Sequence, residues 1–253
     1  MDTCSSVGTL VLRLLTLAEA GRFPHLGNKN GACVTAVLVL VPFAYFLGTF
    51  PSASIVARRA GKDVTREGSR NPGASNVTRM LGWKAGLVVL LLDMGKGALA
   101  AGVGAALDGH RGAYILGVAA VLGHVFPITR KFKGGRGVAT AGGVLVVLFP
   151  LTIAILAVVW FAIARGLKKA SIASVVCAVL FPVIVAVRGG GPLDLAVSSG
   201  LAAIVVVRHF ANLRRLVRGE EPGLERGPSD VERRADEVTD SEERSPDGGT
   251  VGP

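Results

Sequence analysis

Stretches nearly free of charge alternate with short polar segments along this chain of 253 residues, and they lie at 33–56, 85–107, 113–128, 138–164, 171–187 and 192–207. Crossing a bilayer core takes roughly 17–25 apolar residues in a helix, so several of these runs are adequate and a few are short. Lipid offers no partner for an open strand edge, which leaves helices as the spanning element. The pattern predicts an all-α fold, a polytopic transmembrane helical bundle. Composition agrees: half the residues are hydrophobic, only 18% are charged, and mean hydropathy is +0.52, too apolar for a soluble domain of this length.

Charge adds a direction to this picture. From Arg208 onward there are 8 Lys and Arg against 11 Asp and Glu, so the net charge of +10 resides in the rest of the chain, around the spans. The basic clusters fall at 58–79, 130–136, 165–169 and 208–218, and the positive-inside tendency places all four on the cytoplasmic side. The loops near 108–112 and 188–191 then belong outside, with one Arg each.

A single crossing over 138–164 would break the parity of this arrangement. Phe149-Pro150 resolves it, because proline removes a helix donor and marks a turn between two helical pieces. Two crossings there give seven helices; a re-entrant hairpin gives five. Either way the N-terminus is outside, the C-terminus is cytoplasmic, and the polar segments share one face.

Three regions follow. Residues 1–32 lack a basic leader or a cleavage site and read as an N-terminal extension; 33–219 form the membrane-embedded domain; 220–253, rich in charge, Ser, Pro and Gly, is expected to be a disordered cytoplasmic tail. Cys4, Cys33 and Cys177 are scattered, with no metal pattern or disulfide framework. No long basic helix or basic-aromatic surface points to nucleic acid.

The polar segments carry the candidate chemistry. In GSRNPGASN (68–76), Asn71-Pro72-Gly73 is a turn signal before a short helix on which Ser75 and Arg79 are i,i+4 neighbours. Ser69, Asn71, Ser75, Asn76 and Arg79 can converge on an anion, or form a polar connector. In KGGRGVAT (133–140), the glycines allow close backbone approach at the start of a helix, whose N–H groups favour anions. Lys133, Gly134, Gly135, Arg136, Gly137 and Thr140 make a phosphate cradle without the nucleotide P-loop pattern, or else a flexible connector. His209 and Asn212 are i,i+3 at the end of the last span, so they can face one site or belong to an ordinary membrane-exit helix with basic anchors. Asp93 and Lys96, also i,i+3, are an intramembrane pair with either a structural or a functional role.

Taken in order, Tyr45-Phe46-Leu47-Gly48-Thr49-Phe50-Pro51, GSRNPGASNVTR, LLDMGKGAL, GHVFP, FKGGRGVAT and RHFANLRRL resemble the acyl-phosphate-dependent glycerol-3-phosphate acyltransferase family of bacterial inner membranes. The resemblance covers 33–219. It implies a seven-helix enzyme of the cell membrane, active at the cytoplasmic face, that moves a fatty acyl group from acyl phosphate to the 1-hydroxyl of glycerol 3-phosphate. It also implies no cofactor and no metal. On this reading Ser69, Arg79, His209 and Asn212 are catalytic, and Asn71, Ser75, Asn76, Lys133, Gly134 to Gly137, Thr140 and Ser174 bind the phosphate-bearing substrates. Ser174 has an ordinary helix-packing role as its rival, and the acceptor of the hydroxyl proton is either His209 or the substrate phosphate.

Four positions depart from the family pattern: Arg70 stands at a usual glycine, Thr49-Phe50-Pro51-Ser52 at Ser-Ile-Pro-Phe, Arg136 at a frequent lysine, and Phe210-Ala211 at an Arg-Glu pair whose glutamate supports the third motif. No histidine has Asp five positions on, unlike the acyltransferases that use acyl-CoA or acyl carrier protein. An anion or phosphate transporter is the alternative from another class, although such proteins bind near the midplane between repeats.

Overall fold

The computed structural model describes residues 31–224, and within them every regular element is helical. The helices are α1 (Gly31–Gly48), α2 (Ser52–Arg59), α3 (Ala74–Leu81), α4 (Trp83–Val125), α5 (Val138–Leu148), α6 (Pro150–Leu167), α7 (Ala170–Val187), α8 (Pro192–Arg208) and α9 (Phe210–Val217). A 3-10 turn at Ile128–Arg130 follows α4. By length and composition four helical stretches among the described residues are sufficient to cross a membrane, or five if the bent pair α8 and α9 is one span.

Two breaks turn these helices into an alternating bundle. Inside α4, Asp108 (φ −137°, ψ 30°) and Gly109 (φ 57°, ψ −140°) leave helical geometry. The chain reverses there, because a Cβ on Gly104 would stand inside van der Waals distance of the Gly112 carbonyl, and one on Gly112 would meet that of Gly104. In a straight helix those residues would be roughly 12 Å apart. The second break is the one expected at Phe149-Pro150: Phe149 (φ −140°, ψ 63°) separates α5 from α6. Its ring packs on His110 at the α4 reversal, so α5 ends where α4 turns and α6 starts back.

Seven limbs therefore run alternately between two ends of the described bundle. At the far end, Asp194 accepts hydrogen bonds from Tyr114 Oη and the Gly191 amide and pairs with His110 Nε2 at 2.7 Å, which ties the α4 reversal to the start of α8. At the other end lie the polar segments.

The packing is inverted relative to a soluble protein. Small residues fill the interior, among them Ala100, Ala101, Gly104, Ala113 and Ala120, while Phe43, Phe46, Leu91, Leu99, Val158 and Phe161 are exposed. Such a surface suits hydrocarbon, and small interior residues let helix backbones approach closely. This is the architecture of an integral membrane protein.

The domain boundaries expected from sequence meet the described residues only in part. Residues 1–30 and 225–253 lie outside them. Residues 220–224, expected to open a disordered tail, are instead placed against the bundle: the Leu224 amide donates to the Lys168 carbonyl at 2.8 Å.

Candidate functional site

The first polar segment is a loop folded on its own asparagine. Asn76 is buried; its Oδ1 accepts from the Ser69 amide at 2.8 Å, and its Nδ2 donates to the carbonyls of Val64 and Glu67 at 3.2 Å each. The expected phosphate ligand is thus the clasp of the loop, its amide committed to backbone. Asn71, Ser75 and Ser69 are half-buried around it, and Gly73 caps α3, carrying Arg79 in its last turn. Arg70 adopts φ 55°, the left-handed region that favours glycine, which accounts for the residue usual at that place.

The second segment is more tightly packed than an open cradle. The Gly135 amide donates to the His124 carbonyl at 3.1 Å, and Arg208 donates to the carbonyls of Gly134 (2.9 Å) and Gly135 (3.4 Å). A Cβ on Gly135 would overlap the His124 ring, so only glycine lets the loop lie flat on that imidazole. The Gly135 N–H expected to face a ligand is therefore spent. What the segment offers is Arg136, the exposed Lys133 and the first turn of α5 after Gly137. Thr140, in that turn, is fully buried with a hydroxyl that has no hydrogen-bond partner among the described residues.

Beneath the loop runs a buried polar chain. Ser52 Oγ donates to Asp93 Oδ1 (2.6 Å), Lys96 Nζ pairs with the same oxygen (2.8 Å), and Lys96 Nζ lies 2.8 Å from His124 Nδ1. Asp93 and Lys96 are thus each other's counter-ion and also the footing of His124. Tyr45 Oη donates to the Phe126 carbonyl at 2.6 Å and receives the Ile128 amide at 3.0 Å, fixing the turn that leads into the loop.

The third segment supplies His209 and Asn212, both buried. His209 Nδ1 is 2.8 Å from the Val205 carbonyl, which can only accept, so that nitrogen carries the proton and Nε2 of the neutral ring presents a lone pair. Asn212 Nδ2 donates to Glu221 Oε1 at 2.6 Å, and Arg215 Nε donates to Glu221 Oε2 at 3.0 Å. A carboxylate thus holds Asn212 from Glu221, while position 211 is alanine. Helical spacing did not reveal it, because Glu221 lies beyond α9 and reaches back through a turn at Gly219 (φ 74°).

Electrostatics join the segments. Arg79 and Arg136 both feel the negative charge of Glu221 and the positive charge of Arg215, and Arg136 also feels Arg79 and Arg208. Burial brings the Arg136 guanidinium down to about 10 and lowers Arg79 too, with Glu221 opposing the shift. Arg136 thus stays cationic at neutral pH. Three guanidinium groups, those of Arg79, Arg136 and Arg215, around one carboxylate leave a cationic site suited to phosphate.

Ser174 does not join this site. Its hydroxyl donates to the Ala170 carbonyl at 2.8 Å and accepts from Trp160 Nε1 at 3.0 Å, a packing role between α6 and α7. Ser171, one turn earlier, is buried with no hydrogen-bond partner for its hydroxyl among the described residues. It stands in the first turn of α7, behind Lys169, whose Nζ donates to the Glu221 carbonyl.

Comparison with known proteins gives one consistent answer. The family model described as glycerol-3-phosphate acyltransferase matches residues 38–219. Similar proteins named glycerol-3-phosphate acyltransferase occur in Salinibacter ruber (strain DSM 13855 / M31), 40% identical over 209 residues covering 74% of this chain and 91% of that one, and in Bacillus velezensis (strain FZB42), 40% identical over 189 residues covering 74% and 97%. Among solved structures, the glycerol 3-phosphate form of PlsY, an integral membrane glycerol 3-phosphate acyltransferase, superposes with a TM-score of 0.71 at 35% identity over 74% of this chain and 95% of that one. Its lysophosphatidic acid form gives 0.69 at 36% identity, with the same coverage.

Proposed function

Since the chain belongs to the glycerol-3-phosphate acyltransferase family, we propose that it transfers a fatty acyl group from acyl phosphate to the 1-hydroxyl of glycerol 3-phosphate, forming lysophosphatidic acid and inorganic phosphate. The observation that carries this reading is the gathering of Arg79, Arg136, His209 and Asn212 around Glu221 at one end of the bundle.

An acyl phosphate is a mixed anhydride, already activated, so positioning and charge stabilisation are what the protein must supply. The 1-hydroxyl oxygen bonds to the acyl carbon, the bond from that carbon to the phosphate oxygen breaks, and phosphate leaves with the electron pair. The hydroxyl proton ends on the released phosphate as hydrogen phosphate. His209 Nε2 accepts the hydroxyl hydrogen bond and orients the nucleophile, and the arginines neutralise the departing phosphate. Among the described cysteines, Cys177 is buried, with Sγ directed at the Leu156 carbonyl, and supports no acyl-enzyme.

We assign all seven limbs to crossings of a bacterial inner membrane, with the arginine-bearing end in the cytoplasm. Ser69, Asn71, Ser75, Lys133, Thr140 and Ser171 complete the substrate contacts on this reading. Purified protein should convert palmitoyl phosphate, but not palmitoyl-CoA, with glycerol 3-phosphate into lysophosphatidic acid. Equal use of both donors would overturn the donor assignment.

A further inference from the structure

Arg79 is held by the chain just beyond the last helix. Its Nε donates to the Gly223 carbonyl at 2.6 Å and its Nη2 to the Pro222 carbonyl at 3.4 Å, while Nη1 stands 3.5 Å from Asn76 Oδ1. The segment that provides these carbonyls is itself pinned at several points. Glu221 is buried against Asn212 and Arg215, Lys169 Nζ donates to the Glu221 carbonyl, and the Leu224 amide donates to Lys168. Residues 221–224 fall outside the span that the family model matches, which stops at 219.

A guanidinium binds an oxyanion through one of its edges, and which edge is open sets the direction from which phosphate can be held. Here the Nε–Nη2 edge is occupied by two backbone carbonyls. We propose that Pro222 and Gly223 are positioning residues for acyl transfer: their carbonyls hold Arg79 by its Nε–Nη2 edge and present its Nη1 end to the phosphate of glycerol 3-phosphate. This rests on the acyl-transfer reading given above. Glycerol 3-phosphate is the water-soluble substrate, and α3, which carries Arg79, lies outside the stretches long enough to cross a membrane. The carbonyls touch no substrate in this role; they act through Arg79.

The test compares the steady-state kinetics of five proteins in detergent: the whole chain, a chain ending at Leu224, the double variant Pro222→Gly/Leu224→Gly, Arg79→Lys alone, and Arg79→Lys combined with that double variant. Ending the chain at Leu224 should leave kcat and both KM values within twofold. Loosening the segment with P222G/L224G should raise KM for glycerol 3-phosphate at least fivefold, with kcat, KM for palmitoyl phosphate and the melting temperature little changed. In the Arg79→Lys background the same two substitutions should have less than a twofold further effect, since lysine lacks the planar two-nitrogen edge by which the carbonyls orient the guanidinium. The proposal is overturned if the loosened chain keeps its KM, or if KM falls, as for a strap that competes with substrate. It is also overturned if the loss is as large in the Arg79→Lys background, which would mark a general effect on folding. Absence of lysophosphatidic acid from the whole chain would instead remove the acyl-transfer reading on which the proposal stands.

Discussion

His209 shows how one side chain gains a role from its hydrogen bonds rather than from its type. With Nδ1 tied to the Val205 carbonyl, its Nε2 can orient a hydroxyl without ever carrying the proton away. Glutamine can also accept through its side-chain oxygen, so His209→Gln should lower kcat by less than about tenfold, whereas loss of an essential general base costs about 10²–10⁴-fold. Steady-state kinetics on H209Q decide between the two. Much of the site was legible at this scale: His209, Asn212, Arg79 and Arg136 stand out as polar residues between apolar runs, and they do gather. Asn76, Ser174 and Glu221 were not legible in the same way. A residue's type does not say whether its hydrogen bonds are already taken, and Asn76 and Ser174 spend theirs inside the protein. Glu221 stands in a charged segment that gives no sign of reaching back to Asn212.

At the level of elements, the glycine loop depends on what lies below it. Gly135 rests on His124, His124 on Lys96, Lys96 on Asp93 and Asp93 on Ser52, so the two limbs of α4 and the start of α2 together fix one loop. Gly135→Ala should force the loop off the His124 ring, at a cost of about 1–3 kcal/mol for overpacking. It should lower the melting temperature in detergent and raise KM for glycerol 3-phosphate; unchanged values of both would contradict the packing described. The break at Phe149-Pro150 could be read from sequence because proline cannot continue the hydrogen-bond ladder of α5. The reversal at Asp108–Gly109 followed from the polar residues between two apolar runs. The spending of the Gly135 N–H on His124 could not be foreseen, since it depends on how the loop folds back onto the end of α4, which local sequence pattern does not specify.

At the scale of the molecule, the alternation of seven limbs among the described residues puts the basic segments at 58–79, 130–136, 165–169 and 208–218 at one end and the His110–Asp194–Tyr114 cluster at the other. On the proposed reading, the positive-inside tendency puts the basic end in the cytoplasm. In a background without native cysteines, Lys133→Cys in intact cells should resist a membrane-impermeant maleimide, while Arg188→Cys should react; the reverse labelling would contradict the orientation. Membership in the glycerol-3-phosphate acyltransferase family fits this layout on the proposed reading, in which a membrane-held acyl phosphate and a soluble acceptor meet at a membrane face. The most direct measurement follows lysophosphatidic acid and inorganic phosphate together as the purified chain works on palmitoyl phosphate and glycerol 3-phosphate. The account predicts that the two products appear in equal amounts and that both depend on glycerol 3-phosphate. Phosphate release that continues without glycerol 3-phosphate, or no lysophosphatidic acid from the folded protein, would contradict it.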